Sequence, residues 1–115
     1  MKENNLIVDR TFEFSLKIIN LYFYLKKEKE FTVSRQVLRS GTSIGANVEE
    51  AEAAQSKKDF INKMSIALKE ARETRYWTRL LDRSQLVPGD YSFFIKEATE
   101  IMNILGAIVK TSRGK

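Results

Sequence analysis

Apolar residues recur every three or four positions over most of this chain, and that rhythm leaves few folds open to it. Val37, Gly41, Ile44, Val48 and Ala51 step by +4, +3, +4 and +3. Phe60, Met64, Ala67, Ala71, Thr74, Thr78 and Leu81 keep the same step, and Phe94, Ala98, Ile101, Leu105 and Ile108 keep it again. A helical turn of about 3.6 residues brings each set onto one side, forming the seam along which helices pack at shallow angles.

The punctuation agrees. Pro88 is the only proline, and the five glycines (Gly41, Gly45, Gly89, Gly106 and Gly114) leave long stretches uninterrupted. Ser56-Lys57-Lys58-Asp59 reads as a capping box with Asp in place of the usual Glu, and Val87-Pro88-Gly89-Asp90 breaks the chain and offers Asp90 as the next cap. The expected helices span roughly 9–28, 33–54, 57–85 and 90–111. Short connections between long helices favour an all-α, antiparallel up-down-up-down four-helix bundle, formed as a single domain over residues 1–115. Gly41 and Gly45 fall inside a helical pattern, where small residues allow close helix approach.

The first helix carries more apolar surface than one bundle position needs. Phe12, Leu16, Ile19 and Phe23 cluster on one side, while Phe14, Ile18, Leu21 and Leu25 cluster roughly 160° to 200° away. A peripheral helix needs one such stripe. Either its own domain wraps it on both sides, or one stripe meets another subunit. The reading adopted assigns Phe14, Ile18, Leu21 and Leu25 to an oligomer interface, with Ile66, Trp77 and Leu80 on a flank of the third helix.

Composition excludes several chemistries. The chain has no cysteine and no histidine, so disulfides, thiolate sites and a His-assisted nucleophile are absent. Glu49, Glu50, Glu52, Glu70 and Glu73 invite comparison with di-iron bundles, but those sites need a Glu-x-x-His pair on each of two helices. The expectation is a non-enzyme with no cofactor and no metal. The longest large-apolar run, Leu21 to Leu25, falls far short of the roughly 20 residues of a membrane span. With no signal-peptide block at the start, a cytoplasmic protein without a membrane partner is expected.

Net charge is +5, and residues 56–87 alone carry eight Lys and Arg against four acidic residues. Within them Lys69, Arg72, Arg75, Tyr76, Arg79 and Arg83 occupy a sector about 120° wide, turned away from the seam. Arginine forks suit phosphate and a tyrosine can stack on a base, so these six form the candidate nucleic-acid-binding face. The alternative is a solvated face whose arginines pair with neighbouring carboxylates. Ser43, Asn47 and Glu50 line one edge of the second helix with Ser40, and are expected to form a polar network with arginines of the third helix or of a neighbouring subunit that fixes helix register.

The run Ser34-Arg35-Gln36-Val37-Leu38-Arg39-Ser40-Gly41-Thr42-Ser43-Ile44-Gly45-Ala46-Asn47-Val48-Glu49-Glu50-Ala51 resembles the signature of the bacterial four-helix bundle family encoded in intervening sequences of 23S ribosomal RNA genes. The segments Ser56 to Phe60 and Met64-Ser65-Ile66-Ala67-Leu68-Lys69-Glu70-Ala71 extend the likeness. The resemblance implies a homopentamer. It also implies kinship with accessory proteins of diversity-generating retroelements, which bind a reverse transcriptase and nucleic acid. Two functional readings follow: a non-catalytic homo-oligomeric accessory protein that binds RNA or DNA through the third helix, or a structural or protein-docking scaffold without nucleic-acid binding.

Overall fold

Ile7, Thr11, Phe14, Ile18, Leu21 and Leu25 follow one another at +4, +3, +4, +3 and +4, and all six are buried. They form the inner face of the first of four helices in a computed structural model that describes the backbone of residues 2–114 and the side chains of residues 6–114. The helices are α1 (Lys2–Lys27), α2 (Val33–Glu52), α3 (Lys57–Ser84) and α4 (Ser92–Arg113). Short loops turn each helix back along its predecessor, giving an antiparallel four-helix bundle with extents of 46 × 21 × 21 Å.

Helix ends follow local chemistry. Ser56 caps α3 by accepting the Asp59 N–H at 3.0 Å. Asp90 does not cap α4: it accepts from the Ser92 N–H and hydroxyl at 3.0 and 2.7 Å, and the helix begins two residues later than the sequence suggests. Gln85 stops α3 in the left-handed conformation at φ 50°. Its side-chain amide then closes the turn, donating to the Asp82 carbonyl and accepting the Gly89 N–H.

The inner faces meet as the apolar rhythm requires. Val37, Ile44, Val48, Met64, Ala67, Ala71, Leu81, Ala98, Ile101 and Leu105 are all buried. Buried threonines inside the helices are satisfied locally: Thr11, Thr74 and Thr78 each donate to the carbonyl four residues back, at 2.8 to 2.9 Å. Thr74 also lies 2.9 Å from the Ser40 hydroxyl, joining α3 to α2 inside the core.

The four seams are unequal. α1 packs along α2, α2 along α3 and α3 along α4, but α1 meets α4 only sparsely. Between these two runs an apolar groove of about 630 Å³ lined by Leu6, Ile7, Phe14, Phe93 and Ile104. Arg10 spans it, with Nε 2.7 Å from Glu97 and Nη2 2.6 Å from Glu100. Those carboxylates hold the Arg10 guanidinium protonated well beyond its ordinary range.

The tight α1–α2 seam depends on glycine. A Cβ at Gly41 would lie 2.7 Å from Ile18 Cγ1, and one at Gly45 would lie 3.2 Å from the Thr11 carbonyl oxygen. Gly106, by contrast, has nothing within 4 Å of such a Cβ. Gly41→Ala should therefore destabilise the chain by about 1–3 kcal/mol through overpacking a stiff β-branched neighbour. Gly106→Ala should stabilise it by up to about 1 kcal/mol through helix propensity. Urea denaturation read by circular dichroism measures both, and opposite signs are expected.

Candidate nucleic-acid interface

The basic face of α3 is built by helical register. With Met64, Ala67, Ala71, Thr74, Thr78 and Leu81 fixed inside the core, Lys69, Arg72, Tyr76, Arg79 and Arg83 at +3, +4, +3 and +4 come out on the opposite side. All five are exposed. At about 1.5 Å per residue the stripe is roughly 21 Å long. Among the described residues, none of its four cations makes an ion pair. Tyr76 is 53% exposed and packs edge-on against Trp77, with ring centroids 5.2 Å apart, so one aromatic face is fixed at the surface.

Arg75 departs from this group. It is half-buried, and its Nε donates to Thr99 Oγ1 at 3.0 Å, fastening α3 to α4. Its position lies about 80° round the helix from the stripe's centre, toward α4. A sector drawn on the sequence alone is wide enough to include it.

On the other side of the stripe, α2 and α3 are braced by charge. Arg39 Nη1 lies 3.2 Å from Glu70, and Nη2 reaches Glu73. Glu73 also accepts from Trp77 Nε1 at 2.9 Å. Arg39 first and Trp77 second hold the Glu73 carboxyl below its usual range. Trp77 is thus half-buried with its only polar group engaged, a part of the brace rather than an open anchor. Ile66 is half-buried on the same flank, and Leu80 remains exposed.

Two expectations need correction. Within the chain, Ser43, Asn47 and Glu50 form no cross-helix network among the described residues. Ser43 donates to the Arg39 carbonyl at 2.6 Å and Asn47 to the Ser43 carbonyl at 2.9 Å, both within α2. Glu50 is exposed and makes no hydrogen bond or ion pair among the described side chains. Helical rotation carries this edge progressively outward from Ser40, which alone is buried against α3. The register-fixing polar contacts are Ser40 with Thr74 and Arg39 with Glu70 and Glu73.

The second correction concerns α1. Phe14, Ile18, Leu21 and Leu25 are seated in the chain's own core, so that stripe cannot offer an interface. The opposite stripe is the uncovered one: Phe12 is 52% exposed, Leu16 44% and Phe23 61%, with Ile19 half-buried between them. Two stripes of equal apolarity gave no basis in sequence for choosing the inner one. Gly41 against Ile18 supplies that basis, since only the stripe containing Ile18 faces the glycine edge of α2.

No group of three or more acidic residues among the described ones is placed to hold a metal ion, and no helix there is long and apolar enough to cross a membrane.

Comparison with known proteins adds to this geometry. The profile of one family, described as 23S rRNA-intervening sequence protein, matches residues 3–107. A solved structure of a protein with unknown function from the S23 ribosomal protein family of Bacteroides thetaiotaomicron superposes with a TM-score of 0.86 at 50% sequence identity. The match covers 94% of this chain and 98% of that one. No curated protein matches the chain.

The brace makes a prediction about acid. Because the Glu73 carboxyl is depressed in the folded state, its contribution is present above the ordinary glutamate value near 4.3 and fades as pH falls through the lower, folded value. Melting temperature should drop below about pH 4, and Glu73→Gln should flatten part of that drop. Partial exposure keeps the effect within about 1 kcal/mol. Glu50→Gln, with no partner to lose, should change stability by less than about 0.5 kcal/mol.

Proposed function

The chain belongs to the family of 23S rRNA-intervening sequence proteins, and from that starting point we propose that it is a non-catalytic, self-associating cytoplasmic accessory protein that binds nucleic acid through α3. The observation that carries the reading is the contrast in how the cations are used. Arg10 and Arg39 lie on helix seams, and acidic partners neutralise them. Lys69, Arg72, Arg79 and Arg83 lie together on an exposed stripe and have no such partners among the described residues. An unneutralised row of guanidinium forks around an exposed tyrosine matches a phosphate backbone with its bases.

Self-association rests on the Phe12, Leu16, Ile19 and Phe23 stripe, an unpartnered apolar seam at helix-packing spacing. Five copies are what the resemblance implies, and a reverse transcriptase is the kind of enzyme such an accessory protein accompanies. The same seam also favours the second reading, a scaffold that docks proteins and leaves nucleic acid alone.

A gel-shift titration with structured RNA and DNA separates the two. Wild-type protein at low salt should retard both with little sequence preference. Affinity per subunit should fall with salt at a logarithmic slope of roughly −3 to −4 if all four cations meet phosphates. Changing Arg72, Arg79 and Arg83 together to Glu should abolish the shift with helicity intact. A triple variant that binds like wild type removes the stripe as the site, and an unshifted wild type leaves the scaffold reading. Independently, light scattering should give a mass several times the 13.3 kDa chain. Phe12→Glu with Phe23→Glu should reduce it to one chain while the fold persists, because charge is unfavourable in a buried seam. A monomeric wild type overturns self-association.

A further inference from the structure

The groove between α1 and α4 combines an apolar floor with an acidic rim. Ile7 and Phe14 line it and are fully buried, while Leu6 at one end and Phe93 at the other stand 68% and 49% exposed. Asp9, Glu13 and Glu97 border it with Arg10 and Lys17, and Glu100 also holds Arg10. Four carboxylates against two cations make this surface locally negative on a chain whose net charge is +5. Arg10 already engages Glu97 and Glu100. The acids left for an occupant are Asp9 and Glu13, which make no ion pair among the described residues.

Such a groove fits an aromatic or aliphatic side chain that arrives with cations beside it. The outer stripe of α1 ends in that combination. Phe23 is its most exposed member, and Lys26 and Lys27 follow one turn later, about 50° to either side of the stripe. Both lysines are exposed, and neither makes an ion pair among the described residues. Stripe and groove lie about 130° apart round α1, so a single neighbour cannot cover both, whereas two neighbours can. Joining stripe to stripe would cover one apolar surface per copy and leave Leu6 and Phe93 in water. Joining stripe to groove covers both surfaces and brings opposite charges together.

We infer that the α1–α4 groove is the receptor for a second copy of this chain, with that copy's Phe23 seated on the apolar floor and its Lys26 and Lys27 against Asp9 and Glu13. The inference rests on the self-association proposed above and gives it a direction. Each copy offers its α1 stripe to one neighbour and its groove to another, which is a head-to-tail contact between unlike surfaces. The aromatic side chain in the groove supplies the apolar burial, and the lysines at the rim fix which end of the stripe enters.

Mixing two variants tests the assignment, read by light scattering with circular dichroism as the check on folding. Leu6→Glu with Phe93→Glu blocks the groove, and Phe12→Glu with Phe23→Glu blocks the stripe; each variant alone should have the mass of one chain. Mixed in equal amounts they should form a complex of two chains and nothing larger, because one intact stripe still meets one intact groove. A second set leaves the apolar contacts in place. Lys26→Glu with Lys27→Glu should weaken association at least about tenfold at low salt, and adding Asp9→Lys with Glu13→Lys in the same chain should restore it. A folded groove variant that associates like wild type overturns the groove as receptor and leaves self-association through the stripe standing. Two folded variants that stay single chains when mixed, or a fourfold charge variant that does not regain association, overturn it as well. A wild type with the mass of one chain removes both this inference and the self-association on which it rests.

Discussion

The contact between Ile18 and the bare backbone at Gly41 sets the rest of the molecule. α1 has two apolar stripes, and only one can face the chain's own core. With no side chain at Gly41 or Gly45, α2 lets the Ile18 side approach until a Cβ would collide. That choice buries Phe14, Leu21 and Leu25 and turns Phe12, Leu16 and Phe23 outward. It also draws α1 toward α2 and away from α4, which is why the fourth seam stays open and is crossed by the Arg10 pairs with Glu97 and Glu100 instead of by packed side chains.

Charge then divides according to position on the bundle. At two of the helix seams an arginine stands beside carboxylates from the neighbouring helix, because a partly buried charge left unpaired is costly. Arg10 and Arg39 obey this, and Arg75 solves the same problem with a threonine hydroxyl. The outer stripe of α3 has no neighbouring helix over it, so nothing requires its cations to be neutralised. The positive excess of residues 56–87 is therefore surface charge, available to a ligand rather than consumed by the fold.

Most of the architecture was legible from spacing. The seams at residues 37–51, 60–81 and 94–108 name residues that the structure buries, save Phe60, Phe94 and Ile108, which are half-buried at the helix ends, and the Ser56 cap and the break at Pro88 appear where local chemistry puts them. The exposed cations of α3 were legible for the same reason: once the seam is known, the opposite face follows from 100° per residue. What spacing does not contain is the identity of neighbours. Choosing between the two stripes of α1 needs the position of Gly41 relative to Ile18 across a seam. Placing Glu50 needs the distance of its turn from α3. Recognising Arg75 as a fastener needs Thr99, 24 positions along the chain.

The two uncovered apolar surfaces have a consequence for symmetry. The α1 seam and the α1–α4 groove are different surfaces on different sides of one helix, roughly 130° apart about its axis. An association that joins like to like uses one of them and stops at two copies; one that seats the seam of one copy in the groove of the next joins unlike surfaces, and repeats into a ring if the rotation closes or an open filament if it does not. A ring would carry one α3 stripe per subunit at fixed spacing. A row of four cations holds phosphates weakly at physiological salt, but linked rows convert each later contact into an intramolecular one. On that geometry, burial of the α1 seam and strength of nucleic-acid binding are coupled. The apolar stripe that the bundle core leaves uncovered would then be what makes the basic stripe effective.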